Sequence, residues 1–83
     1  MPSKSVTVGS SVGLHARPAA IISEAAAGLG VTINGVDAAS SLMLMTLGAK
    51  HGDTVEVAGD DAAAVDRIAE LVEQDLDAEE TPA

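Results

Sequence analysis

The sequence predicts an α+β domain in which three helices cover one face of a four-stranded antiparallel sheet. Short segments that alternate polar and apolar residues are separated by segments with helical periodicity, and Asn34-Gly35 favours a tight two-residue hairpin. Strands this short and one-sided cannot be buried on both faces, so an antiparallel sheet with one covered face satisfies them. The predicted order is β-α-β-β-α-β-α, within a single domain spanning residues 1–83.

The strands are predicted from alternation and from the turn residues that bound them. The four predicted strands are Ser5–Val8, Val31–Ile33, Val36–Ala38 and Thr54–Val57. The second and third are joined by Asn34-Gly35, and both are short, which makes their pairing the least strongly specified part of the sheet.

The helices are predicted from apolar stripes and from capping residues. The first predicted helix is Ala19–Leu29. The second is Leu42–Leu47, which Ser40 or Ser41 can cap, and the last begins after Asp60 or Asp61, either of which can cap it. Their inward positions are predicted to be Ile22, Ala26 and Leu29 in the first, Leu44 and Leu47 in the second, and Val65, Ile68, Ala69, Val72 and Leu76 in the last. Pro18 suits a first turn, although helical geometry is disfavoured for the residue before it, Arg17. Gly28, Gly30 and Gly48 mark helix ends, and residues 77–83 form an acidic tail that we expect to fray.

Composition and charge exclude several classes of function. The 83 residues include no cysteine and no aromatic residue, which excludes disulfides, thiolate metal sites and stacking on bases. The net charge is −9, and eleven acidic residues from Asp53 onward face a single base, so we expect no direct binding of nucleic acid. With no charged and apolar leader and no apolar run near 20 residues, we expect a soluble cytoplasmic protein without membrane insertion.

The heptapeptide Gly13-Leu14-His15-Ala16-Arg17-Pro18-Ala19 carries the strongest chemical signal. It places His15 where a strand gives way to a helix, at the predicted N-cap. A helix start offers unpaired N–H groups and a partial positive charge, which favour a phosphate and disfavour the protonated imidazole. His15 can therefore keep a lone pair for attack on phosphorus. Arg17, two residues later, is a suitable clamp for the resulting anion.

The second histidine, His51, lies in a glycine-bearing turn and is expected to have no catalytic role. The two histidines lack the spacing of zinc ligands, so we predict no metal and no cofactor.

The middle helix is apolar almost all the way round, so a short surface helix must expose part of it. Such a patch either docks partners or fills a core that has no aromatic residues, and the sequence leaves both interpretations open.

The heptapeptide resembles the signature of the HPr family, the histidine-containing phosphocarriers of the bacterial sugar phosphotransferase system, and the likeness extends from Val6 to Leu76. The resemblance implies an open-faced β-sandwich and a monomer. It implies that His15 accepts a phosphoryl group on Nδ1 from phospho-enzyme I and passes it to an enzyme IIA domain, with Arg17 stabilising the group. The partner-docking positions that it implies are Leu14, Ala16, Ala20, Leu42, Met45 and Thr46.

Two features depart from the family pattern. The family's regulatory serine aligns best with Ser40, with Ser41 one residue away, but Ala39 stands where a lysine is common. The hairpin at Asn34-Gly35 is several residues shorter than usual.

Two other functions compete with that of a phosphocarrier. A regulatory relative would dock partners through the Leu42–Met45 surface without needing His15. A phosphohydrolase would use His15 as nucleophile, but the sequence offers no convincing base or metal to activate water.

Overall fold

The computed structural model describes residues 2–10, 13–14 and 16–74. The elements are β1 (Ser3–Thr7), α1 (Ala16–Ala26), β2 (Thr32–Ile33), β3 (Val36–Asp37), α2 (Ser41–Thr46), β4 (Thr54–Ala58) and α3 (Ala62–Glu73). This order confirms the predicted β-α-β-β-α-β-α arrangement. Leu76 and the predicted tail at residues 77–83 lie outside the described residues.

The four strands form one antiparallel sheet in the order β1-β4-β2-β3. Val6 lies opposite Val55, and Val57 lies opposite Ile33, so these four buried side chains share the inner face. Ser5 and Glu56 are paired on the outer face, where both are exposed. The alternation in the sequence therefore reports which face of the sheet the helices cover.

The helices supply the other half of an aliphatic core. Helix α3 packs against β1, β4 and α1, and α1 also packs against α2. The fully buried side chains of α1 and α3 include Ile22, Ile68 and Val72. The open-faced α+β sandwich is thus confirmed, with a core of valine, isoleucine, leucine and alanine.

Three local predictions are confirmed by the backbone. Asn34 and Gly35 both have positive φ, 50° and 86°, as a type I′ hairpin turn requires. Ser40 caps α2, since its side chain accepts a hydrogen bond from the Met43 N–H at 3.3 Å. Asp61 caps α3 by accepting one from the Ala63 N–H at 3.1 Å.

The first helix begins and ends three residues earlier than predicted, at Ala16 and Ala26. Pro18 is tolerated as its third residue because the first N–H groups of a helix have no partner inside it. The end is set by Gly28, whose φ of 78° breaks the helical path. The inward position predicted for Leu29 is therefore wrong, and its side chain is 36% exposed.

Candidate functional site

Helix α1 begins at the residue that directly follows His15 in the chain. His15 itself lies outside the described residues. Ala16 and Arg17 are exposed in the first turn, whereas Pro18 and Ala19 are buried and fix that turn on the core. Because the first turn carries N–H groups without helical partners and a partial positive charge, it is a favourable place for an anion. Arg17 adds the positive charge of a guanidinium to the same turn.

The chain that leads to this turn is hydrogen-bonded, at Gly9 and Ser10, to the C-terminal end of α3. The Gly9 N–H donates to the Val72 carbonyl at 2.9 Å, and the Ser10 hydroxyl donates to the Gln74 carbonyl at 3.3 Å. A Cβ at Gly9 would lie 1.8 Å from the Glu73 carbonyl oxygen, so only glycine fits. The last carbonyls of α3, which have no partner inside the helix, thus hold the start of the segment.

Closer to His15, Gly13 and Leu14 contact the backbone that follows α2. The Leu14 N–H donates to the Ala49 carbonyl at 3.0 Å, and the Gly13 N–H donates to the Ser10 carbonyl at 2.9 Å. Gly13 has a φ of 77°, and a Cβ there would lie 2.4 Å from the Ala49 oxygen and 2.8 Å from the Lys50 Cα. Residues 13 and 14 are therefore placed by main-chain contacts on both sides immediately before His15.

Helix α2 presents an exposed apolar surface, which we call the α2 patch and define as Leu42, Met43 and Met45. Their exposed fractions are 66%, 42% and 37%. On the other side of the helix, Leu44 is fully buried and Leu47 is half-buried against the core, as predicted. Because α2 packs against α1, the patch lies on the helix adjacent to the one that begins after His15.

The predicted docking positions divide by exposure. The exposed members are Ala16, Ala20, Leu42, Met45 and Thr46. Leu14 differs from that expectation, since it is 3% exposed and belongs to the core cluster. Its side chain holds the segment on the core, while its N–H bonds to Ala49.

Within the described ranges there is no group of three or more histidine, aspartate or glutamate residues that could hold a metal ion. His51 is exposed in the turn between α2 and β4. Over the same ranges, no helix has both the length and the apolar character needed to cross a membrane.

Residues 2–74 match the PTS-HPr family, described as the PTS HPr component phosphorylation site. The chain belongs to the HPr family. It is 40% identical over 87 residues to the phosphocarrier protein HPr of Streptomyces coelicolor, an alignment covering 93% of this chain and 94% of that relative. The crystal structure of HPr-C-His from Thermoanaerobacter tengcongensis superposes with a TM-score of 0.83 at 25% identity, covering 95% and 99% of the two chains.

Membership of the HPr family identifies the chain as a phosphocarrier of the phosphotransferase system. The match to the family includes the whole heptapeptide from Gly13 to Ala19, and therefore also the position of His15 in the sequence. The close approach of Gly13 to the 49–50 backbone explains why this HPr family member needs a glycine there.

Two features of the site were not found from the sequence. Met43 is more exposed than Met45, yet it was not among the docking positions that the family resemblance implies and entered only as part of the Leu42–Met45 surface of a regulatory relative. The sequence could have indicated the exposure of Met43. If Leu44 and Leu47 point inward, Met43 lies away from the inward face of this short helix. The contacts of Gly9 and Ser10 with α3 join residues more than sixty positions apart, and no local pattern reports them.

Proposed function

We propose that this protein accepts a phosphoryl group on His15 from phospho-enzyme I and passes it to a histidine of an enzyme IIA domain. The observation that carries the proposal is the family match across residues 2–74, with His15 inside the matched heptapeptide. The first turn of α1, which starts one residue after His15 and carries the exposed Arg17, supports it physically.

The transfer is an exchange of one N–P bond for another. The lone pair on Nδ1 of His15 forms a bond to phosphorus as the bond between phosphorus and its donor atom on enzyme I breaks. The second transfer reverses this, as the acceptor histidine of enzyme IIA attacks the same phosphorus. No water enters, nothing is oxidised or reduced, and the protein returns to its starting state, so it acts as a carrier without its own turnover.

The environment next to His15 is suited to binding the phosphoryl group moderately. The α1 N-terminus and the Arg17 guanidinium both stabilise an anion. A carrier gains nothing from holding its cargo much more tightly than its acceptor does, because onward transfer would then slow. An exposed arginine at a helix N-terminus provides such moderate binding.

Both partners would dock on the same surface in turn, which comprises the α2 patch with Ala16, Ala20 and Thr46. A patch of leucine and methionine side chains adapts to more than one partner, because methionine is flexible and polarisable. We expect small, short-lived interfaces with a monomeric carrier in the cytoplasm. A phosphate on Ser40, the α2 N-cap, would add negative charge beside this surface and weaken docking, and this modification is part of the proposal.

The test measures intact mass after incubation with phosphoenolpyruvate and enzyme I. We expect the mass to increase by one phosphoryl group that is lost in mild acid, as a phosphohistidine requires. Addition of an enzyme IIA domain should then return the protein to its starting mass. His15→Ala should remain unmodified, with its circular dichroism spectrum unchanged.

The matched control is His51→Ala, which removes the other histidine from an exposed turn and should be phosphorylated like the parent. A parent protein that stays unmodified with a competent enzyme I contradicts the proposal. Modification that persists in His15→Ala contradicts the assignment of the acceptor.

A second candidate function, regulation by docking without phosphotransfer, is favoured by the exposure of the α2 patch. In that case, His15→Ala would bind its partners and regulate them as the parent does. If His15→Ala still binds its partners but no longer transfers phosphoryl groups or regulates, the protein acts as a carrier and not as a docking regulator. Release of free phosphate by the protein without partners would indicate a phosphohydrolase instead.

A further inference from the structure

The turn between α2 and β4 is closed by the side chain of Asp53. The Asp53 carboxylate accepts a hydrogen bond from the Lys50 N–H at 2.9 Å, and the Asp53 N–H donates to the Lys50 carbonyl at 2.9 Å. Gly52 takes a φ of 91° at the corner. The two reciprocal bonds fix the orientation of the Lys50 backbone relative to the start of β4.

This turn is in addition fixed to the end of β1. The Val8 N–H donates to the Asp53 carbonyl at 2.8 Å, and the Gly52 N–H donates to the Val8 carbonyl at 3.0 Å. These bonds continue the pairing of β1 with β4 one step beyond Thr7 and Thr54. The Asp53 backbone is therefore held against the end of β1, and this main-chain contact positions the residue that carries the carboxylate.

A single peptide group connects Asp53 to the segment before His15. The Lys50 N–H and the Ala49 carbonyl belong to the same planar peptide unit, which is trans. Its N–H donates to Asp53, and its carbonyl accepts from the Leu14 N–H at 3.0 Å. Gly13 packs against the same unit, as the 2.4 Å separation between an added Cβ and the Ala49 oxygen shows.

We propose that Asp53 is a positioning residue for phosphoryl transfer, which acts through the Ala49–Lys50 peptide group on Gly13 and Leu14. Because the peptide unit is planar, fixing its N–H direction also fixes its carbonyl direction. Hydrogen bonds in such a chain also polarise and strengthen one another. The carboxylate thus orients the Ala49 carbonyl, which accepts the hydrogen bond from Leu14, the residue before His15. This inference rests on the proposed function, in which His15 receives the phosphoryl group.

The test compares Asp53→Ala with Asp53→Asn, which keeps an oxygen acceptor for the Lys50 N–H but removes the charge. In Asp53→Ala we expect the hydrogen exchange of the Leu14 amide, measured by NMR, to accelerate. We also expect kcat for phosphorylation by enzyme I to fall by about three- to tenfold, the worth of one hydrogen bond expressed in the transition state. KM should stay unchanged, because Asp53 acts on position and not on docking.

Asp53→Asn should restore both the exchange rate and kcat to near the parent values. The charge control is Glu70→Ala, which removes an exposed carboxylate from α3 and should change neither. A kcat per folded molecule in Asp53→Ala equal to that of the parent overturns the proposal, and so does failure of Asp53→Asn to rescue. A parent that takes up no phosphoryl group contradicts the phosphocarrier function itself, and this outcome is distinct because it is read in the unsubstituted protein.

Discussion

The segment before His15 and the α2 patch are neighbouring parts of one site, but they are built in different ways. Gly9, Gly13 and Leu14 are placed by main-chain hydrogen bonds and by contacts too close for a side chain. In the α2 patch the backbone is an ordinary short helix, and three apolar side chains extend into solvent.

This difference matches what each part must do. Group transfer is sensitive to small displacements of the reacting atoms, so the segment next to the acceptor benefits from main-chain placement. Docking on two partners in turn needs apolar area that adapts, which flexible side chains provide. Substitutions should therefore affect folding and transfer in the first region, and binding in the second.

The largest effect is expected for Gly13→Ala, which tests the close approach in the first region. Gly28 is the matched control, because its φ of 78° equals that of Gly13 within a degree, yet nothing lies within 4 Å of an added Cβ. We expect Gly28→Ala to lower the free energy of unfolding by about 1 kcal/mol through backbone strain. Gly13→Ala should lower it by about 3 kcal/mol, since overpacking against the Ala49 and Lys50 backbone adds to the strain. Chemical denaturation measures both.

Equal losses in the two variants would show that the 49–50 backbone yields easily, and that the segment before His15 is not held as tightly as the contacts indicate. Phosphorylation of the folded fraction gives a second reading. Gly28→Ala should be phosphorylated at the parent rate, and Gly13→Ala more slowly.

Much of the fold follows from local signals in the sequence. The Asn34-Gly35 turn, the Ser40 cap and the alternation around Val55 and Val57 each depend on neighbouring residues, and each is confirmed. The start of α1 was predicted too late because the penalty on Arg17 before a proline is small beside the packing of Pro18 and Ala19 on the core. Its end was predicted too late because Gly28, with a φ of 78°, breaks the helical path.

In the candidate site, too, features that depend on neighbouring residues could be predicted and features that depend on distant segments could not. The heptapeptide is contiguous, so its residue types could be read directly, and the inward position of Leu44 followed from helical periodicity. The contacts of Ser10 with Gln74 and of Leu14 with Ala49 join segments far apart in the chain, and they use main-chain carbonyls that any residue supplies. Composition and spacing carry no information on such contacts, so the burial of Leu14 could not be predicted.

The next effect in size is expected for Arg17→Ala, which tests whether transfer needs a cation in the α1 turn after His15 as well as a fixed backbone before it. Loss of charge-assisted hydrogen bonds to a phosphoryl group should slow transfer by about 10–100-fold. Arg67→Ala is the matched control, because it removes an exposed arginine from α3. Transfer from enzyme I and transfer to enzyme IIA are each quenched at set times, and mass spectrometry measures the phosphorylated fraction for both steps. If Arg17→Ala and Arg67→Ala transfer at the same rate, Arg17 does not stabilise the phosphoryl group.

The smallest effect is expected for Leu42→Glu, which tests the second region by placing a charge in the α2 patch. At 66% exposure, Leu42 contributes little to the core, so the free energy of unfolding should change by less than about 0.5 kcal/mol. The dissociation constant for enzyme I should rise by about five- to tenfold, because docking would bury the new carboxylate. Leu29→Glu makes the same change at an exposed leucine outside the patch and should leave binding at the parent level. Titration calorimetry measures both variants, and equal affinities would place the docking surface elsewhere than on α2.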